Sequence, residues 1–523
     1  MKFRNLSVIL FVIVCLISQN NAYKILGVFA SASKSHFLLG SELMKSLAAS
    51  GHEVTMISSF PLKKPVKNYR DIPLTFNVKD EQTKLMGEQN FFQEGENFGL
   101  DSVKKFFTTG LTITEKILSD ANLQKLLNSN EHFDAVITVA FTYEATYAIA
   151  SHFKAPLIVY STVGASILVN ELVGNPNNYA YVPDLMLGFT DRMSFKERAI
   201  NTIVNTMFDF VRYFYYLPEQ YAITKKYFPN GPDLYEIMKK TSLVFINSHV
   251  SVSYPRPFVP NMIEIAGHHV QDPKPLPADL QKFMDDAKQG VIYFSLGSNV
   301  RSSDLGEKRI NEILKVFSKL PQKIIWKWET DTLPGQPKNV LISKWLPQND
   351  ILAHPNLKLF ITHGGWCSTV ESIVRGVPLI GIPALADQLL NMRKAEQQGL
   401  GILLDFKNIT ETSFSWALNE LLNNPKYKNA MKETSKLFLD REIKPVDRAI
   451  YWVEHVIRNK GAHHLQSAAV HLTRPQLILL DVVAFFGAIL LVILLTTYFT
   501  CRFILRKLCK LLFGNSNSKK KTD

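Results

Sequence analysis

Short runs of consecutive apolar residues recur along the chain, each closed by glycine, proline or polar residues. Residues 23–30 (YKILGVFA), 54–58, 133–139, 156–160, 243–247 and 262–266 form one series. Residues 290–295 (GVIYFS), 323–327, 340–343, 357–362 (LKLFIT) and 377–383 form a second. Such runs lack alternation, as expected of strands buried on both faces of a parallel sheet. Between them apolar residues fall at helical spacing: Leu39, Leu43, Leu47 and Ala48 in one place, Val370, Ile373 and Val374 in another. The pattern predicts mostly helix over 85–130 with Phe91, Phe92, Phe98, Phe106 and Phe107, and helix over 144–153. It predicts helix again over 195–240, rich in Phe and Tyr, and a closing helix over 445–455. Strands alternating with helices predict a doubly wound α/β fold. A proline-rich stretch, 272–277, separates the two series.

The chemistry gathers in residues 345–388, WLPQNDILAHPNLKLFITHGGWCSTVESIVRGVPLIGIPALADQ. The strand 357–362 runs straight into His363-Gly364-Gly365, and glycines there permit a tight turn and close backbone approach. A helix is predicted to open at Ser368 or Thr369 and to end at Gly376. Its free N–H groups and positive dipole end, at the carboxyl edge of a sheet, suit a phosphate.

The chain ends change the picture from a soluble protein to an anchored one. Residues 1–22 carry Lys2 and Arg4, an apolar stretch and small Ala22, which reads as a signal peptide. Residues 477–500 are apolar except for Asp481, Thr496 and Thr497, long enough for one transmembrane helix. Arg502, Arg506, Lys507 and Lys510 follow, so the positive-inside rule predicts a cytosolic basic tail, 501–523, and a lumenal body of type I topology. Lys520 and Lys521, fourth and third from the C-terminus, resemble a dilysine retrieval signal of the endoplasmic reticulum membrane. The net charge of +13 sits largely in the leader and tail. The remaining span is mildly basic, with no basic stripe of interleaved aromatics, so no nucleic-acid partner is expected. Of the four cysteines only Cys367 falls in the expected lumenal part, so the cores must hold without an internal disulfide. Asn408-Ile409-Thr410 is a glycosylation sequon. The adjacent pairs His268-His269 and His463-His464 lack metal-ligand spacing and read as surface; no metal site is expected.

The 345–388 stretch resembles the signature of the UDP-glycosyltransferases, and the insect members most of all. The resemblance rests on Trp345-x-Pro347-Gln348, Thr362-His363-Gly364-Gly365, Glu371 three residues after Ser368, Gly376-Val377-Pro378, and Pro383 with Asp387-Gln388. It extends from about residue 23 to the C-terminus. It implies the GT-B architecture: two Rossmann-like doubly wound domains facing a cleft, plus the C-terminal transmembrane helix. The expected layout is signal peptide 1–22, acceptor-binding domain 23–270, linker 271–286, UDP-sugar-binding domain 287–460, juxtamembrane segment 461–476, transmembrane helix 477–500 and tail 501–523. It also implies site residues. Ser35-His36-Phe37 matches the family's catalytic position, with His36 as base. Trp345 would stack on uracil, with Gln348 in the same loop. Glu371 would accept hydrogen bonds from ribose hydroxyls. His363, Gly365, Ser368 and Ser298 would contact phosphate. Asp387 and Gln388 would hold sugar hydroxyls.

At one point the chain departs from the family. The acid that orients the catalytic histidine is expected after the strand that begins Phe133-Asp134, where Val139 stands. Asp134 lies at the opposite end of that strand, so the partner is either Glu144 or missing. A missing partner would favour acidic acceptors such as phenols. No Asp-x-Asp pair is present for a divalent ion, and the helix end and His363 would take that ion's place. The expected activity is inverting, metal-independent transfer of a hexose from a UDP-sugar to a small lipophilic acceptor, as in detoxification, without a cofactor. Asn247-Ser248-His249 and Tyr254-Pro255-Arg256-Pro257 suggest UDP-glucose as donor. Glucuronosyl relatives carry a basic residue where Ile246 stands. The alternative, motivated by Val139, is a catalytically weak UDP-sugar or lipophile-binding membrane protein. The sequence leaves the oligomeric state open, a homo-oligomer included.

Overall fold

A computed structural model describes residues 22–87, 90, 92 and 100–513. Residues 1–21 of the expected leader, with Cys15, and Phe91, Phe98 and the Lys520-Lys521 pair lie outside the described residues. The chain divides into two compact units, 1–467 and 468–523.

The larger unit holds two parallel sheets. The first contains β1 (Lys24–Val28), β2 (Glu53–Ser58), β3 (Tyr69–Pro73), β4 (Ala135–Val139), β5 (Leu157–Ser161), β6 (Leu243–Ile246) and β7 (Met262–Glu264). Its order is β3-β2-β1-β4-β5-β6-β7. The second contains β8 (Val291–Ser295), β9 (Lys323–Lys327), β10 (Val340–Ser343), β11 (Leu357–Thr362), β12 (Leu379–Gly381) and β13 (Gly401–Leu403), in the order β10-β9-β8-β11-β12-β13. β4, β5, β6 and β8 are buried along their whole length, which is what unbroken apolar runs require. Both sheets reverse their winding beside the first strand of each series, between β1 and β4 and between β8 and β11. Ligands of doubly wound sheets bind at the carboxyl ends of strands at that reversal. The segments after β1, β8 and β11 carry His36, in the first turn of the following helix, and Ser298 and His363, in loops.

Several expectations are corrected. The segment drawn as linker, 271–286, contains a helix, Ala278–Asp285, whose Leu280 and Met284 are buried in the core under the second sheet. The helix after β11 begins at Trp366 rather than at Ser368 or Thr369, with Gly365 as its N-cap in an extended conformation. It ends as expected at left-handed Gly376. The closing helix runs Pro445–Arg458 and packs back on the first sheet, placing Ala449, Val453 and Val456 with Ile25, Met44 and Leu47. His268 and His269 are buried, not at the surface; His463 and His464 are exposed.

In the smaller unit, Leu480–Phe513 is a 34-residue helix, long and apolar enough to cross a membrane. At about 1.5 Å per residue it exceeds the ~30 Å hydrocarbon core, so its last turns, with Arg502, Arg506, Lys507 and Lys510, extend past the expected end at residue 500.

Candidate active site

The base candidate is built by β1 and the helix Lys34–Ala49. The strand ends at Val28, a short loop follows, and His36 sits in the first turn of the helix. Its ring faces Phe141 edge-on at 6.0 Å between centroids. Phe106 and Tyr143 extend that aromatic wall, at 5.7 Å and 5.5 Å from Phe141. Nδ1 of His36 is buried and has no hydrogen-bond partner. Burial pushes the imidazole down to about 4.

Neither carboxylate weighed from the sequence orients it. Asp134 accepts a hydrogen bond from the Lys24 amide at 2.7 Å, at the amino end of β4. Glu144, expected within reach of His36, is instead a buried carboxyl group held in a structural network. Its Oε1 accepts from Arg212 Nη2 at 3.1 Å and its Oε2 from Tyr216 O–H at 2.6 Å. Arg212, itself 1% exposed, also pairs with Glu171. Tyr216 O–H in turn accepts from Gln220, which reaches Thr114 and the Thr142 carbonyl. Burial raises the Glu144 carboxyl, and Arg212 and Tyr216 oppose that rise. Val139 is buried in the apolar cluster beneath the first sheet.

Across the cleft, the second sheet gathers the expected donor residues. Gln348 bridges them: its Nε2 donates to Ser368 Oγ at 2.9 Å and to Glu371 Oε2 at 2.6 Å, while its Oε1 accepts from Tyr293 O–H at 3.3 Å. Ser368 and Glu371 share a face because they are one helical turn apart. Trp345, two residues past β10, is 60% exposed and so is no core residue. The Lys34 ammonium lies 3.6 Å from its ring centroid, a cation–π contact joining the two halves. Two further contacts cross nearby, Asn299 to Ser33 Oγ at 3.0 Å and Lys79 to the Ser298 carbonyl at 3.2 Å.

His363 is cradled between two glycines. A Cβ on Gly297 would meet its Cε1 at 2.5 Å, and one on Gly365 would meet its Nε2 at 2.4 Å. Burial, and secondarily Lys327, push this imidazole down to about 4, which favours the neutral ring over the cation. Gly365 has φ −61°, which alanine adopts without strain, so Gly365→Ala tests the cradle alone. Displacing the ring is expected to lower kcat/KM for the UDP-sugar about 10²-fold with folding retained. Unchanged steady-state kinetics would remove His363 from the site.

Asp387 and Gln388 follow β12. Asp387 Oδ2 accepts from Asn391 Nδ2 at 2.8 Å, and Gln388 Oε1 accepts from the Ala384 and Leu385 amides. The Gln388 amino group is thereby left to donate. Asn391 was not singled out from the sequence, yet it also donates to the Gly364 carbonyl at 3.0 Å and ties the two loops. Its spacing of one helical turn from Asp387 was the available signal. Tyr293 was missed too, hidden in an apolar strand. Asn408 is exposed.

Glu371 is 7% exposed, and burial pushes its carboxyl up to about 7 against the pull of Gln348 and Arg375. Ribose hydroxyls would donate to its charged form, so binding is favoured above that value and weakened below it. UDP-glucose affinity is expected to fall about tenfold from pH 8 to pH 6 as the group protonates. Calorimetric titration of the full-length protein reads this, and a flat profile would separate Glu371 from the nucleotide.

This arrangement faces a neutral imidazole on one sheet with a nucleotide-sized polar cluster on the other. The family model described as UDP-glucoronosyl and UDP-glucosyl transferase matches residues 24–513. UDP-glycosyltransferase UGT5 of Dactylopius coccus is 38% identical, with 97% of each chain covered. UDP-glucosyltransferase 2 of the same organism is 38% identical over 100% of this chain and 99% of its own. UDP-glucuronosyltransferase 2C1 of Oryctolagus cuniculus is 32% identical over 92% of this chain and 98% of its own. Among solved structures, the glycosyltransferase of kitacinnamycin matches with a TM-score of 0.57 at 17% identity, over 84% of this chain and 100% of its own, a likeness of fold. None of these relatives supports the alternative of a binding protein without turnover. The chain belongs to the UDP-glucoronosyl and UDP-glucosyl transferase family, and is a GT-B UDP-glycosyltransferase that moves a glycosyl group from a UDP-sugar to an acceptor.

Proposed function

We propose that this enzyme transfers glucose from UDP-glucose, with inversion at the anomeric carbon, to a hydroxyl of a small lipophilic acceptor, and that phenols are preferred over aliphatic alcohols. The observation that carries the acceptor preference is His36 Nδ1, buried with no carboxylate beside it. In the proposed step the acceptor O–H proton passes to His36 Nε2 and the acceptor oxygen bonds to the anomeric carbon. The bond from that carbon to the diphosphate breaks, and its electron pair leaves on UDP. A single displacement inverts the centre. The imidazolium so formed has no anion to stabilise it, so the acceptor's own acidity sets much of the barrier. Each unit of pKa mismatch is worth about 1.4 kcal/mol of proton-transfer driving force. The aromatic wall of Phe106, Phe141 and Tyr143 suits a flat apolar acceptor.

On the donor side, Trp345 would carry the uracil, Gln348 and Glu371 the ribose edge, Ser298, His363, Gly365 and Ser368 the diphosphate, and Asp387 with Gln388 the sugar hydroxyls. Ile246 is buried and supplies no cation for a uronate carboxylate, which favours a neutral hexose. The two relatives from Dactylopius coccus, one of them named a glucosyltransferase, are more similar to this chain than the rabbit glucuronosyltransferase. The helix Leu480–Phe513 with its basic end supports a single-pass anchor with the catalytic part lumenal, in the endoplasmic reticulum if the Lys520-Lys521 signal is read. Exposed Asn408 would then carry a glycan.

The test is a rate series with UDP-glucose and acceptors of graded acidity, from nitrophenols to aliphatic alcohols of similar size. We expect kcat/KM to climb with acceptor acidity and aliphatic alcohols to react poorly. Equal rates across the series would contradict the unassisted base.

A further inference from the structure

The adjacent histidines after β7 differ sharply in how they are satisfied. The chain turns at Gly267, with φ 88°. His268 Nε2 then lies 3.0 Å from the Leu39 carbonyl, on the helix that carries His36, and its Nδ1 lies 3.1 Å from the Ile265 carbonyl. That is an ordinary structural histidine. His269 is equally buried, 5% exposed, yet neither of its ring nitrogens makes a hydrogen bond of good geometry, the Cys367 backbone being its one weak polar neighbour on that side. Buried polar groups in folded proteins are nearly always paired, so a ring with both nitrogens unsatisfied calls for a reason, as does His36 Nδ1. The reason lies on the other half of the molecule. His269 Nε2 is 3.8 Å from Glu371 Oε1, while the other Glu371 oxygen is taken by Gln348. The gap is about 0.7 Å beyond normal hydrogen-bond reach, a distance that a small rotation closes. Burial keeps the ring neutral, so it has one N–H to give.

We propose that His269, a residue of the first half, is a positioning residue for the donor: its Nε2–H holds the Glu371 carboxylate in the orientation that accepts the ribose hydroxyls. The inference rests on the reading of Glu371 as the ribose acceptor. Held from Gln348 on one oxygen and His269 on the other, the carboxylate presents its remaining lone pairs outward as a fixed pair of acceptors. Without His269 it is free to turn about its terminal torsion, which is intrinsically broad.

The test compares UDP with 2′-deoxy-UDP, binding each by calorimetry to full-length protein in detergent. Glu371→Gln, His269→Phe, His269→Gln and His269→Asn accompany the wild type. Glutamine places an N–H near the position of Nε2, asparagine near that of Nδ1. The wild type is expected to prefer UDP by about tenfold, as for one hydrogen bond to a charged group. The preference should collapse towards one in Glu371→Gln, His269→Phe and His269→Asn, and return in His269→Gln. A merely structural His269 would weaken both nucleotides alike and leave their ratio unchanged, which overturns the proposal. If His269→Phe does not fold, loss of the ratio in His269→Gln or its retention in His269→Asn overturns it equally. A ratio unchanged in Glu371→Gln would instead sink the ribose reading beneath it, and the proposal with it.

Discussion

Replacing His36 by alanine is expected to lower transfer to phenols by about 10²–10⁴-fold, the range typical of a lost general base, while UDP binding stays within twofold. The split follows from the architecture. His36 belongs to the first turn of the helix after β1, whereas Gln348, His363, Ser368 and Glu371 belong to the loops and helices around the second sheet. The pH profile gives a second mark of the same group. His36 is held down to about 4 by burial, so it is already the free base at mildly acidic pH. At saturating donor the wild-type rate should therefore hold from pH 8 down to about pH 5 and fall only as the imidazole protonates. Chemical rescue of His36→Ala by added imidazole, read as initial rate, checks the assignment. A variant with undiminished turnover would place the base elsewhere.

Glu144→Ala is expected to act on stability rather than on chemistry. The change leaves Tyr216 O–H without its acceptor and strips Arg212 of one of its two carboxylates in a fully buried setting. Breaking such a pair costs about 3–5 kcal/mol. Linkage sharpens the test. The folded Glu144 carboxyl is raised above its unfolded value, so its ionisation works against folding as pH rises through that shifted range, and acidification relieves the strain. Denaturant unfolding of the wild type and of Glu144→Ala should thus differ most at low pH, and the gap should narrow as pH rises through that range. Turnover per folded molecule should be retained. A variant of full stability that has lost its turnover would restore Glu144 to the catalytic role first expected of it.

The sequence carried the parts that depend on local pattern. β1 with the His36 helix, and β11 with the glycine turn and the Glu371 helix, were legible because an unbroken apolar run, a glycine pair and a helical period stand next to one another. β3 was not, since Tyr69–Pro73 holds Arg70, Asp71 and a proline at a sheet edge and never forms an apolar run. β13 has three residues and no room for a pattern. The helix Ala278–Asp285 hid behind the prolines that precede it. Glu144 was misjudged because its partner Arg212 lies 68 residues away, among aromatics that mark no pairing. His269 was misjudged because burial there comes from the meeting of two halves: Glu371 is remote in sequence, and a polar pair after a strand looks the same whether capped by water or by a domain. The expected donor residues from Trp345 to Gln388 were legible as residue types at fixed spacing, whereas Tyr293 and Asn391, which bond to them, carried no such mark.

The most direct measurement offers UDP-glucose and UDP-glucuronate in parallel, with 4-nitrophenol, to membranes carrying the full-length protein or its His36→Ala variant. The account predicts β-linked glucoside from UDP-glucose with the wild type, far less conjugate from UDP-glucuronate, and almost none from either with the variant. Faster transfer from UDP-glucuronate, an α-linked product, or turnover that survives the loss of His36 would contradict it.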